Sequence, residues 1–242
     1  LLASLLSLFL LTLVGCSSDS SGSANGEQSL IISHYLPGNH IIHTDVLEVF
    51  AQSLEERTDG RIQSEIYAAG SLGDPGSQYD MAVTGTADIA LSVHGFTPGR
   101  FPLVSVIEFP FFTDSAEVGA EILWTLYNEF PELQEEHGDT KPLFLFSAEP
   151  AQILSAKKPV EKLEDLKGMR VRSPSPFANQ IIEALGAIPV SMPMGDVYEA
   201  LQKGVVDAAM APFSAANDFN LMDVAEHITI GNFSMTPFFA VM

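Results

Sequence analysis

Apolar positions change period several times along the chain, and each change marks an element. Residues 30–36, LIISHYL, are mostly apolar at short spacing and predict a strand. The next stretch, HIIHTDVLEVFAQSLEERTDG, carries apolar residues at 42, 46, 49, 50 and 54, the spacing of one helix face, and Gly60 closes it. RIQSEIYAAG predicts a second strand. Asp74-Pro75 then supplies an N-cap and a first-turn proline for a helix that runs to about Thr84; Gly85 stops it, and ADIALSV predicts a third strand. The order is βαβαβ.

The same order recurs from residue 169. MRVRSP predicts a strand, Ser175-Pro176 opens the helix FANQIIEAL, Gly186 closes it, and AIPVSMP is extended. Asp196 and Glu199 have the spacing of a capping box for VYEALQK, Gly204 ends that helix, and VVDAAMA follows. Short echoes strengthen the repeat: SLGDP at 71–75 answers PMGDV at 193–197, and GTADIAL at 85–91 answers GVVDAAM at 204–210. The pattern predicts an α/β protein of two related lobes. Between them lie the aromatic and proline-rich run Phe96 to Phe112, an amphipathic helix around SAEVGAEILWTLYNEF, and two strands, KPLFLFSA and AQILSAKKPV, suited to cross from one lobe to the other. NFSMTPFFAVM reads as a return crossing that stops without a polar terminus, so a C-terminal part is expected to be missing. The expected division is lobe I at 29–149, lobe II at 150–236 and the start of a return crossing at 237–242.

Charge narrows the partners. Against 31 acidic residues the chain sets 11 Lys and Arg, a formal charge of -20, which argues against nucleic acid or acidic lipid as a ligand. The first fifteen residues, LLASLLSLFLLTLVG, have the form of a signal-peptide apolar region. Leu13-Val14-Gly15-Cys16, followed by SSDSSGSANGEQ, looks like a lipoprotein cleavage box before a flexible polar tether over residues 16–28. That reading predicts a lipidated Cys16 and a membrane-anchored protein in the periplasm. Cys16 is also the only cysteine, so no intrachain disulfide can form.

Few residues carry reactive chemistry. No GxSxG, GxGxxG or Walker pattern occurs, which disfavours nucleophilic catalysis and phosphate cradling. His34, His40 and His43 fall close together with His94 beyond, but nothing pairs them as metal ligands, so no metal and no cofactor is expected. The run Phe96 to Phe112 is either an exposed binding surface or packing between lobes; Met192 and Met194 are either a soft pocket wall or core. Arg170 and Arg172 fall on one face of a regular strand, just before the helix start at Ser175-Pro176. A cation beside a helix N-terminus, at the end of a parallel strand, is where an open α/β sheet binds an anion. Pairing of both arginines with surface acids fits the spacing equally well.

The stretch 164–212, EDLKGMRVRSPSPFANQIIEALGAIPVSMPMGDVYEALQKGVVDAAMAP, closely resembles the signature segment of the solute-binding proteins of tripartite ATP-independent periplasmic (TRAP) transporters. RTDGRI, AAGSLGD and TGTADIAL agree with the same family, and the similarity spans about residues 30 to 242. The resemblance implies a two-lobe periplasmic-binding-protein fold, type II-like, with crossing hinge strands. It implies no enzyme but a receptor that closes on a small organic acid and delivers it to membrane permease subunits for uptake driven by an ion gradient. It also implies that the family's carboxylate-clamping arginine, in the strand after the LKG turn, falls on Arg172 rather than Arg170. Where relatives often carry a second basic residue this chain has Gln152; where an aromatic is common it has Met194; where an Asn is common it has Ala211, followed by Pro212 and Phe213; and Ser175 replaces an Asn of some members. Fewer polar partners favour a monocarboxylate with an apolar or aromatic body. Candidate lining is then Arg172, Gln152, Ser175, Met194, His34, Tyr35, His94, Phe96 and Phe213. A ligand-sensing protein that presents its closed form to a signalling partner would use the same hinge, and an enzyme on this fold is disfavoured by the missing base and nucleophile.

Overall fold

The structure is a computed structural model and describes residues 28–242. The apolar leader, Cys16 and nearly all of the tether lie outside the described residues. In chain order the elements are β1 (Gln28–His34), α1 (Glu48–Arg57), β2 (Ile62–Tyr67), α2 (Gln78–Val83), β3 (Ile89–Val93), α3 (Ala116–Glu129), α4 (Pro131–Glu135), β4 (Pro142–Ser147) and β5 (Gln152–Ser155), with a π-helical turn at Ile42–Leu47 leading into α1. They continue as β6 (Arg170–Ser173), α5 (Pro176–Ala184), β7 (Ile188–Ser191), α6 (Val197–Gln202), β8 (Ala208–Ala211), α7 (Phe213–Asp218), β9 (His227–Thr229) and β10 (Pro237–Val241).

Two five-stranded sheets result, in the orders β2-β1-β3-β10-β4 and β7-β6-β8-β5-β9. Each is built the same way. A βαβαβ unit gives three parallel strands, β2-β1-β3 or β7-β6-β8, and an antiparallel strand, β10 or β5, joins the third. Helical crossovers between parallel strands are what such short βαβ units require. The repeat extends to single contacts. Asp88 accepts from the amide of Ile31 at 2.7 Å, and Asp207 accepts from the amide of Arg170 at 3.0 Å. Both aspartates return the bond, donating their own amides to the Ile31 and Arg170 carbonyls at 2.9 and 2.8 Å. GTAD and GVVD therefore echo because each aspartate ties the third strand of its unit to the first.

The chain passes between the sheets after β4 and again before β10, and the two passages hold each other. Ala148 donates to Thr236, Ala151 to Ser234, and Phe233 back to Ala151, at 2.9, 2.7 and 3.0 Å. Near them the two halves come close: a Cβ on Gly95 would lie 2.5 Å from Ser175 Cβ and 2.9 Å from the Pro174 carbonyl, so only glycine lets the β3 end approach the α5 start. The largest apolar cluster straddles the two sheets, joining Leu91 and Val93 to Leu154, Val197, Ala209 and Ala211. Separate clusters lie under each sheet, one around Tyr79, Leu123 and Phe239, the other around Val171, Ile182 and Met210. Burying each large apolar side chain contributes about 1.5 to 3 kcal/mol.

Two sequence-predicted caps do not form. Asp74 and Asp196 make no side-chain cap bond. Asp196 lies in a 3-10 turn with helical dihedrals, φ -90° and ψ -10°, whereas a capping side chain needs an extended backbone to reach back. At Asp74 a 3-10 turn begins instead, with Ser77 donating to the Asp74 carbonyl. Ser115 and Ser175 do cap, each accepting an amide three residues on. The aromatic run divides: Phe101, Val104 and Ile107 are core, while Phe109, Phe111 and Phe112 are exposed.

Candidate functional site: an aromatic cavity with a buried cation

A cavity of about 210 Å³ opens where the crossings meet the sheet ends. Four aromatic rings shape one side. Phe146 of β4 stacks on Phe238 of β10 with centroids 4.8 Å apart; Tyr35 lies near-parallel to Phe238 at 6.5 Å and meets Phe96 edge-on at 5.4 Å. Cross-strand pairing of β4 with β10 sets Phe146 opposite Phe238, so alternation turns both to one face. Met194 and Pro174 extend the apolar wall from the second sheet.

Arg172 is the cation of this wall. Alternation along β6 gives it and Arg170 one face, but their surroundings differ. Arg170, at the strand start, forms a fork with Asp207, Nη2 to Oδ1 at 2.9 Å and Nε to Oδ2 at 3.1 Å, and donates to the Gly204 carbonyl. That pair holds the Asp207 carboxyl down at about 2. Arg172, two residues on, is 1% exposed and reaches no carboxylate within salt-bridge distance. Its Nε donates to the Met192 carbonyl at 3.0 Å and its Nη1 to the Met210 carbonyl at 3.1 Å. Nη2 has no hydrogen-bond partner among the described residues. Burial lowers the guanidinium to about 10, opposed by Tyr35 and Asp196, so it stays charged at neutral pH. A buried charge without a counter-charge is costly, and an anion that enters beside it recovers that cost.

The structure brings Arg172, Tyr35, Phe96 and Met194 into the cavity lining; it does not bring Gln152, Ser175, His34, His94 or Phe213 there. Gln152 is committed to the crossing: its Nε2 donates to the Pro150 carbonyl and Asn232 Oδ1, and its Oε1 accepts the amides of Gly231 and Asn232, all at 2.8 to 3.1 Å. Ser175 caps α5 and donates to the Glu108 carboxylate. His34 Nε2 meets His43 Nδ1 at 2.9 Å, and burial, with His43 and His40, lowers His34 to about 4. His94 meets His137 at 3.0 Å in the core of the first sheet, and burial holds it well below the usual histidine value. Phe213 opens α7 half-exposed, pointing away while its neighbours Pro212 and Ser214 line the cavity.

Sequence reasoning missed Phe146, Phe238, His40, Ser147, Glu149 and Thr236, which complete the lining. A signal was present for the first two, since any strand that crosses between lobes borders the cleft and both lie in the crossing strands. The helix N-terminus expected to receive a ligand anion instead faces Glu108 from the first half. Burial raises that carboxyl to about 7, opposed by the Ser175 hydrogen bond. Among the described residues no three His, Cys, Asp or Glu side chains converge as a metal site, and no helix is long and apolar enough to cross a membrane.

A family model described as bacterial extracellular solute-binding protein, family 7, matches residues 32–242. Among solved structures the chain is similar to a TRAP solute-binding protein of a marine metagenome, described as specific for aromatic acid ligands and holding 3-hydroxybenzoate. Identity is 31% and the TM-score 0.84, over 89% of this chain and 68% of that one. A TRAP solute-binding protein from Rhodoferax ferrireducens, in complex with copurified benzoate, gives 28% identity and a TM-score of 0.84 over the same shares. A solute-binding protein of Albidiferax ferrireducens is 31% identical over 216 residues, 84% of this chain. The chain spans 61% of that relative's length.

Proposed function

The chain belongs to the bacterial extracellular solute-binding proteins of family 7, and from that premise we propose that it captures a small organic acid outside the cytoplasm and hands it to the permease subunits of a TRAP transporter. Arg172 holds the carboxylate, the aromatic wall holds the body, and the solute leaves chemically unchanged. The observation that carries this reading is the buried guanidinium without a counter-charge, set into an aromatic cavity. A bidentate carboxylate supplies what Nη2 lacks, and charge-assisted hydrogen bonds of this kind contribute about 1.5 to 3 kcal/mol each. Gln152, offered as a second polar contact, is already fully bonded, and Arg172 is the one guanidinium or ammonium group in the lining. Both facts favour a monocarboxylate with an aromatic body over a dicarboxylate or sugar acid. The two similar structures that hold benzoate and 3-hydroxybenzoate support the same class.

A thermal-shift series tests this. A ligand at a hundredfold over its Kd stabilises the fold by about 2.7 kcal/mol, or roughly 5 to 10 °C for a domain of this size. Benzoate is expected to give that shift, and succinate and glucuronate little. A shift with the dicarboxylate alone would overturn the ligand class. The proposal also includes a lipid on Cys16, which keeps the receptor at the membrane surface. Intact-mass measurement of protein extracted from membranes is expected to show a diacylglyceryl adduct, and an unmodified thiol there would end that part.

A further inference from the structure

The cavity has a second polar end. Arg172 hangs from the second sheet, whereas Ser147 closes β4 of the first sheet and Glu149 lies in the crossing that leaves it; all three belong to the lining. The charges acting on the two ends are separate sets: Tyr35 and Asp196 act on Arg172, while Asp218 and Glu149 act on His40 beside Glu149.

The hydrogen-bonding capacity at this second end is unfilled. Ser147 Oγ is buried with no partner, and the side chain is 4% exposed. Its strand neighbour Pro237 has no N–H to offer, and Gly119 of α3 packs so close that any side chain there would press on the hydroxyl. Glu149 commits Oε1 to the amide of Ser214 at 2.7 Å, and Oε2 makes no hydrogen bond among the described residues. His40 is already engaged, Nδ1 accepting from the Ile42 amide at 3.1 Å and Nε2 lying 3.5 Å from Asp218. What is left open is a hydroxyl and a carboxylate oxygen, which together ask for a donor.

We propose that Ser147 and Glu149 read a hydrogen-bond donor on the solute, remote from its carboxylate, so that the favoured ligand is an aromatic acid bearing a hydroxyl or amino group rather than the bare acid. This rests on the carboxylate reading above and narrows it. A site built to bond a solute hydroxyl rejects the analogue without it, because its own buried polar groups are then left unpaired. A methyl in the same place fills the space without supplying the donor.

Calorimetry on the full chain separates these cases, with phenylacetate, its 3- and 4-hydroxy forms and its 3- and 4-methyl forms as probes. One hydroxy isomer is expected to bind at least about tenfold more tightly than phenylacetate and than its methyl counterpart, the step that one satisfied hydrogen bond supplies. Glu149→Gln keeps an oxygen for the Ser214 amide and removes the charge, and Ser147→Ala removes one small group; circular dichroism checks that each variant folds. Each is expected to cut the hydroxyl preference to under about threefold while phenylacetate affinity stays within about twofold. Equal binding of the hydroxy and methyl forms, or a preference that survives both variants, overturns the inference. Phenylacetate bound without a hydroxyl preference sinks this inference alone, whereas no binding of any probe removes the carboxylate reading and this one with it.

Discussion

At the residue scale, two neighbouring arginines have opposite fates because one position along β6 has an acid beside it and the other does not. Arg170 meets Asp207; Arg172, two residues toward the strand end, meets only carbonyls. Spacing placed both on one face but could not tell them apart, since the partner of Arg170 lies 37 residues away in sequence. Gln152 shows the opposite limit. A polar residue at a strand start reads equally as a ligand contact or a structural tie, and only the positions of Gly231 and Asn232 decide for the tie. The buried acid Glu108 carries a pH signature. Its carboxyl rises from 4.5 to about 7 in the fold, so between those values the unfolded chain has lost a proton that the folded one keeps. Stability therefore falls as pH rises through this window, by at most about 3 kcal/mol, and the cost is complete above pH 7. His34 acts in the other direction: lowered from 6.5 to about 4, it stabilises above its unfolded value and loses that contribution as pH falls toward 4. Glu108→Gln keeps an acceptor for Ser175 and removes one of the two opposed slopes. Urea titrations are expected to find the variant more stable than the parent at pH 8, with the gap closing toward pH 4.5; a gap that is constant with pH would contradict the buried-acid account.

Among elements, those with strong periodicity or paired breakers were legible, as α5 shows with Ser175-Pro176 before it and Gly186 after it. The cap expected at Asp196 was not, because the choice between an α-turn and a 3-10 turn depends on how Met194 packs into the cavity wall. The crossings were legible as extended segments, yet their mutual hydrogen bonding joins residues about eighty positions apart, which no local pattern encodes. Gln152 ties the two crossings. Gln152→Ala leaves the Gly231 and Asn232 amides without their acceptor, and unpaired buried donors cost about 1 to 3 kcal/mol each. Chemical denaturation is expected to show a loss of roughly 2 to 4 kcal/mol, with ligand affinity altered far less. Full stability combined with lost affinity would return Gln152 to the list of ligand contacts.

For the whole molecule, the internal repeat was the most informative sequence feature, because it fixed two like units before any contact was known. Asp88 and Asp207, each tying the third strand of its unit to the first, give the echo a physical cause. What the repeat could not reveal is that each sheet takes its fourth strand from a crossing, and that those crossings bring Phe146 and Phe238 to the cavity. The site is thus a property of the joined halves: the cation comes from one sheet, the aromatic wall mostly from the other. Calorimetry of benzoate with the parent, Arg172→Ala and Arg170→Ala tests this most directly. Losing a buried charge partner is expected to weaken binding by about 2 to 5 kcal/mol in Arg172→Ala, while Arg170→Ala stays within about 0.5 kcal/mol of the parent. Unchanged benzoate affinity in Arg172→Ala would contradict the account.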